Sequence, residues 1–143
     1  MTWLSSAVRR YGGRVVDQPG DNLLAEFTSE NSAFACALEV QRTSDARNRG
    51  VPQHLRMQLR IGVDSGPVLR QAGKVWGQTV NVSARLQTTA DAGSVLVSSA
   101  CVERMRGSVL GAGLGTRDWQ ESTYRLRNIP EPVSAVQCRP ESV

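Results

Sequence analysis

The sequence predicts an α+β domain built around one sheet. Three observations carry this expectation. The 143 residues suffice for one hydrophobic core and are too few for two. Apolar spacing switches along the chain between the period of two expected of a strand and the 3.6 expected of a helix. After an opening helix, the segments run β-β-α-β-α-β-α-β-β, an α+β order.

Residues 2–11 read as a short amphipathic helix, with Trp3, Leu4, Ala7, Val8 and Tyr11 on one stripe, stopped by Gly12-Gly13. Arg14 to Gln18 and Leu23 to Phe27 flank Pro19-Gly20-Asp21-Asn22, so they are expected to form a β-hairpin. Ser29 to Asn48 is the clearest helix, with Ser29 and Thr28 competing for the N-cap and Gly50 and Pro52 ending it. Leu55, Met57, Leu59, Ile61 and Val63 alternate with polar residues, which predicts a strand over 55–63 with one buried face. Asp64-Ser65-Gly66-Pro67 breaks that strand, Val68-Leu69 resumes it, and Ala72-Gly73 is the next turn. A helix over Thr79 to Ala90, a buried strand over Ser94 to Ser98 and a short helix over Ser99 to Met105 follow. Three weak strands near 108–118, 122–127 and 133–138 close the chain. The opening is unusual, because a mixed sheet of this kind normally begins with a central strand and this chain begins with a helix.

Composition narrows the function. The chain is 40% hydrophobic and 21% charged, ordinary for a soluble globular domain, and its 5% aromatic content leaves Val, Leu, Ala and Ile to build the core. The net charge of +4 is spread through the chain without a basic run, which argues against a nucleic-acid tail and is compatible with a phosphorylated small molecule. Cys36, Cys101 and Cys138 are odd in number and lack CxxC spacing, which fits a reducing compartment, and Cys36 and Cys138, in the apolar runs AFACAL and VSAVQC, read as small core residues. His54 has no Cys or His neighbour with which to share a metal. No apolar run approaches a membrane span and no signal-peptide pattern opens the sequence, so a cytoplasmic location is expected.

The chemistry-bearing residues lie on the helix after Gly77. Asn81 and Arg85 are four apart, which puts an amide and a guanidinium on one face. The guanidinium is a rigid fork of donors suited to phosphate oxygens, and the amide can donate to a ring or sugar oxygen. Such a pair can stabilise charge on a phosphoryl group in transit. Spacing alone would strongly favour an ordinary helix-surface pair.

The surrounding residues favour the chemical reading. The run WGQTVNVSARL resembles the W/F-G-x-x-V-N-x-A-x-R-L/M segment of class III adenylate and guanylate cyclases. GGRVVDQPGDNLLAEF resembles their glycine-aspartate hairpin, LRMQLRIGVDSGPV their R-I-G-I-x-x-G-x-V strand, AGSVLVSS the strand after the Asn/Arg helix, and YRLRNIPEPVSAVQC the closing hairpin. The match covers about 125 residues in unchanged order, with a core over 12–138. It implies a ferredoxin-like nucleotide-cyclase fold, a mixed or antiparallel sheet with helices packed on it, in a single domain over 1–143 that lacks the opening strand.

The resemblance also implies roles. Cyclase domains work as dimers with sites at the interface, where two aspartates hold two Mg²⁺ or Mn²⁺ ions on the triphosphate. Asp21 matches the second metal aspartate, Asn81 and Arg85 the transition-state pair contributed by the other chain, and Arg127 the residue that grips the terminal phosphates. The first metal aspartate, expected in a D-I-x-G-F-like strand, has no counterpart. The base-reading Lys and Asp fall at Asp17 and Lys74, with their charges exchanged. Asp17 and Lys74 could form a salt bridge where the family holds the base, or both could point into solvent.

The expectation is therefore a cyclase-like domain of intracellular cyclic-nucleotide signalling, catalytically impaired alone and acting as a dimerising or regulatory module. Its expected partner is another cyclase homology domain, in a homodimer or heterodimer, with ATP or GTP as the nucleotide. The first alternative is a genuine cyclase, converting a nucleoside triphosphate to the cyclic monophosphate and pyrophosphate, as a fragment or in a composite site. The second is an α+β interaction module without nucleotide.

Overall fold

A computed structural model describes residues 2–105 and 115–141. Helix α1 (Thr2–Arg10) leads into the β1 (Arg14–Asp17) and β2 (Leu24–Glu26) hairpin and then α2 (Glu30–Asn48). A single 3₁₀ turn at Gln53–Leu55 precedes β3 (Ile61–Val63). Strands β4 (Leu69–Gln71) and β5 (Lys74–Trp76) form a second hairpin ahead of α3 (Gln78–Thr89). The chain continues through β6 (Val95–Ser98), α4 (Ser99–Arg104), β7 (Thr116–Tyr124) and β8 (Val133–Pro140).

The central sheet has the order β3-β6-β8-β7, with β3 and β6 parallel and the other pairs antiparallel. Val95 to Ser98 can form its middle because all four residues are buried on both faces. Val95 and Val97 face α2 and α4, in a core with Phe34, Leu38, Cys101 and Met105. Leu96 faces the other way, in a core with Val82, Leu86 and Ala90 of the α3 region and with Leu126 and Ala135. A third cluster, around Leu4, Val8, Cys36 and Val40, fixes α1 on α2 and on the first hairpin. The three cysteines are buried and unpaired. Burial pushes the thiols of Cys36 and Cys101 up to about 11 and that of Cys138 up to about 12.

Most elements fall where periodicity put them. Ser29, not Thr28, is the N-cap of α2, its hydroxyl accepting from the Ser32 N–H at 3.3 Å. Gly50, with a φ of 77°, turns the chain away after that helix. Gln41, on the apolar side of α2, is fully buried, and its Nε2 donates to the carbonyls of Leu59 (3.0 Å) and Ser94 (2.9 Å). One side chain thus ties α2 to the starts of β3 and β6.

Three expectations change. The strand over 55–63 shrinks to Ile61–Val63, and Leu55 and Met57 are 62% and 69% exposed. Residues ahead of Ile61 are drawn instead to the end of α2, where Asn48 Nδ2 donates to the Met57 carbonyl (2.8 Å) and Arg56 Nε to the Val51 carbonyl (2.8 Å). The single sheet becomes three: the β1-β2 and β4-β5 hairpins pair only with themselves among the described residues. The strands read near 108–118 and 122–127 become one, Thr116–Tyr124, bent by a bulge between Arg117 and Gln120 at which Asp118 takes a φ of 58°. The part of that reading over 108–114 lies outside the described residues.

Two contacts hold α3 and α4 on the sheet. At Gly62 the backbone of α3 comes so close that a Cβ would collide with the Ser83 carbonyl oxygen and the Gln87 nitrogen. At the other end of β3, the Ser98 hydroxyl donates to Asp64 Oδ1 at 2.6 Å and accepts from the Cys101 N–H at 3.2 Å, capping α4. Burial raises the Asp64 carboxyl above its ordinary value, against the opposing pull of the Ser98 hydroxyl, the Ser65 N–H and the Arg104 charge.

Two outcomes follow from these contacts. Gly62→Ala must push α3 off β3, so urea unfolding should show a loss of about 1–3 kcal/mol, the usual range for overpacking. For Asp64 the folded state holds the proton more tightly than the unfolded chain. The stability linked to that proton is complete below the ordinary carboxyl range and is lost as pH rises through the folded-state value. Asp64→Asn should remove this dependence, so its thermal midpoint should gain on the wild type as pH rises through the carboxylate range.

Candidate functional site

Helix α3 starts at Gly77, whose φ of 130° and ψ of 176° no other residue adopts without strain. Its first turn is fixed from outside, by Thr79 Oγ1 donating to the Pro67 carbonyl at 3.0 Å. Val82 and Leu86 form the buried stripe. Asn81 is exposed and Arg85 half-buried, one turn apart beside that stripe. Among the described residues neither side chain has a hydrogen-bond or ion-pair partner, so both polar groups remain available.

Asp21 sits at the exposed tip of the first hairpin. The tip closes through the Asn22 N–H donating to the Pro19 carbonyl (3.0 Å), with Gly20 at a φ of 59°. The next residue docks on α3: Gln87 Nε2 donates to Asn22 Oδ1 at 2.9 Å. Gln87 also faces Gly62, on the sheet side of the helix. At 3.6 residues per turn, Gln87 lies about 200° round the axis from Arg85. The Asp21 loop and the Asn81/Arg85 pair therefore occupy opposite sides of one helix.

The remaining candidate positions are all exposed. Asp17 accepts from the Gln18 N–H through Oδ1 at 2.8 Å. Lys74 ends the turn of the second hairpin, opposite Gln71. Although β1 and β5 are neighbours, Asp17 and Lys74 form no ion pair among the described residues. The carboxylate that links strands there is Glu26 of β2, paired with Arg14 of β1 and, at 3.2 Å, with Arg70 of β4. Arg127 lies in the turn after β7 rather than in a strand, where the Ile129 N–H donates to the Leu126 carbonyl at 3.1 Å and Asn128 has a φ of 64°.

One feature escapes the sequence reading. In the β4–β5 hairpin, Leu69 pairs across with Trp76, and they are 71% and 45% exposed. The turn Ala72-Gly73, with φ values of 52° and 78°, fixes this register and so sets two large apolar side chains next to each other in water. The signal was the pairing implied by a two-residue turn between two apolar runs. Among the described residues no group of three or more His, Cys, Asp or Glu side chains is placed to hold an ion. The donor set of the described residues therefore does not by itself make a two-metal centre. No helix among the described residues is long and apolar enough to cross a membrane.

Comparison with known proteins agrees with this geometry. The model of the adenylate and guanylate cyclase catalytic domain matches residues 23–118. Putative adenylate cyclase 3 of Rhizobium meliloti (strain 1021) is 34% identical over 131 residues, which are 91% of this chain and 21% of that protein. An adenylate cyclase of Streptomyces coelicolor is 33% identical over 104 residues, 73% of this chain and 26% of its own length. The chain thus spans about a quarter or less of the length of these two relatives. The crystal structure of an adenylate/guanylate cyclase/hydrolase from Silicibacter pomeroyi superposes with a TM-score of 0.82 at 28% identity, over 97% of this chain and 79% of that one. With the Asn/Arg helix, the glycine-aspartate hairpin and the sheet order in place, this chain belongs to the adenylate and guanylate cyclase catalytic domain family.

Proposed function

We propose that the chain supplies one half of a nucleotide-cyclase site formed between two cyclase domains, and that alone it turns nucleotide over poorly. The observation that carries this reading is the opposition of Asp21 and the Asn81/Arg85 pair across α3. Side chains on opposite sides of a helix cannot meet on one small substrate, so each needs the complementary group of another domain. Positioning of this kind is worth many orders of magnitude in rate, and a single half-site forfeits it.

In such a site, Arg85 forks onto an oxygen of the phosphoryl group while Asn81 orients the attacking sugar or its ring oxygen, both acting as the charge develops. Arg127, exposed in its turn, meets the outgoing phosphates. The exposed Leu69–Trp76 pair lies on the hairpin just ahead of α3, and its burial against the second domain would remove both residues from water. Asp21 is the residue of this chain that would ligate Mg²⁺ or Mn²⁺ at such an interface, with a second carboxylate from outside the described residues. The purine is ATP or GTP, and the exchanged charges of Asp17 and Lys74 weaken selection between them.

Conversion of ATP and of GTP should be measured with Mn²⁺, for the chain alone and mixed with a complete cyclase domain of the same family. The chain alone should form little cyclic nucleotide, and the mixture more than the sum of its parts. Asn81→Ala or Arg85→Ala in this chain should lower that gain about 100-fold or more, the loss usual for a transition-state donor. Vigorous turnover by the chain alone, abolished by Asn81→Ala, would instead make it a self-sufficient cyclase. Separately, thermodynamic effects of Lys74→Glu and Asp17→Lys should add to within about 0.5 kcal/mol in a double-mutant cycle, as two solvated charges require.

A further inference from the structure

The β4–β5 hairpin has two faces of different chemistry. Leu69 pairs across with Trp76, and Arg70 with Val75. Paired residues share a face and neighbours along a strand alternate, so Leu69 and Trp76 stand on one face and Arg70 and Val75 on the other. The first face is apolar and exposed. The second turns to the first hairpin, where Arg70 Nη2 lies 3.2 Å from Glu26 Oε2. This ion pair is a solitary attachment. Among the described residues the two strands pair only with each other, and no residue from Val68 to Trp76 except Arg70 has an ion pair or side-chain hydrogen bond to another element. The ends of the hairpin are fixed, at Pro67 by Thr79 and at Gly77 by the start of α3, but its body is otherwise restrained only by packing against β1 and α3.

The other end of the pair is firm. Ala25 and Phe27, on either side of Glu26, pack in the apolar cluster beneath α1 and α2. The tip of their hairpin is bonded to α3 through Asn22 and Gln87. Alternation turns Glu26 away from the apolar cluster, toward the second hairpin. Its side chain is 18% exposed, against 52% for Arg14 and 59% for Arg70. Oε1 accepts from Arg14, whereas Oε2 is shut off from water without a hydrogen bond among the described residues. The Arg70 charge is what faces that oxygen, and a buried carboxylate oxygen is costly to leave unmatched.

We propose that Glu26 and Arg70 are positioning residues, a strap that holds the β4–β5 hairpin against the first hairpin and so presents the Leu69–Trp76 face, ready formed, to the second cyclase domain. A face already in its docked orientation does not have to be ordered at the moment of binding. The strap therefore acts on how tightly the second domain binds, and not on turnover once it is bound. The docking half of this inference rests on the shared cyclase site, and the strap itself does not.

Two substitutions separate charge from bulk. Arg70→Met keeps the aliphatic stem and removes the charge, and Arg70→Lys keeps the charge. Amide hydrogen exchange of the chain alone should quicken about tenfold at residues 69–76 in Arg70→Met and stay within about twofold of the wild type in Arg70→Lys, with residues 95–98 unchanged in both. In calorimetric titration with a complete cyclase domain of the same family, Arg70→Met should need about tenfold more partner for half-saturation, while the cyclic nucleotide formed at saturation stays the same. Unchanged exchange in Arg70→Met, equal quickening in Arg70→Lys, or quickening that reaches residues 95–98 to the same degree would overturn the strap. Lower turnover at saturation with half-saturation unchanged would overturn its docking role. A wild-type chain that binds no second domain would overturn the shared site and the docking half with it, and the exchange result would still decide the strap.

Discussion

The close approach of α3 to β3 at Gly62 is the constraint on which the rest of the structure depends. With no side chain there, the helix backbone lies directly on the strand and its rotation is set by contact between backbones. That rotation sends Val82 and Leu86 into the core, turns Gln87 to the Asn22 loop and leaves Asn81 and Arg85 facing outward. A few tens of degrees of twist would bury the guanidinium or expose Leu86. The candidate chemistry is thus a by-product of packing at a residue that carries no chemistry.

The same logic explains why the polar residues of the core are few. Gln41 and Ser98 are both buried, and each bonds two elements at once: Gln41 joins α2 to β3 and β6, and Ser98 joins β6 to β3 and α4. Their hydrogen bonds are directional where apolar packing is not, so they fix the register of helices on the sheet. Gln41 shows the cost, since its Oε1 is buried without a partner among the described residues.

Much of this was legible in the sequence. Periodicity located α2, α3 and β6 to within a residue or two, and the turn residues located the first hairpin. The family motifs gave the sheet-and-helix fold, and the four-residue spacing gave the shared face of Asn81 and Arg85. What escaped depended on partners distant in the chain. Whether Leu55 to Arg60 becomes a strand depends on what pairs with it, and nothing within the segment encodes that. The bulge that lets one strand run through Asp118 is a property of its pairing with β8. The opposition of Asp21 to Arg85 emerges only once Gly62 has fixed which side of α3 lies on the sheet.

The three buried cysteines make the folded chain chemically quiet. With thiols raised to about 11 and 12 and closed off from water, the reactive thiolate is scarce at neutral pH, and a reagent must wait for the protein to open. Each thiol guards a different contact. Cys36 lies beneath α1, Cys101 lies in α4, and Cys138 lies on β8 in the middle of the sheet. Their rates of modification amount to a three-channel clock for opening, which separates fraying of the first helix from rupture of the sheet itself.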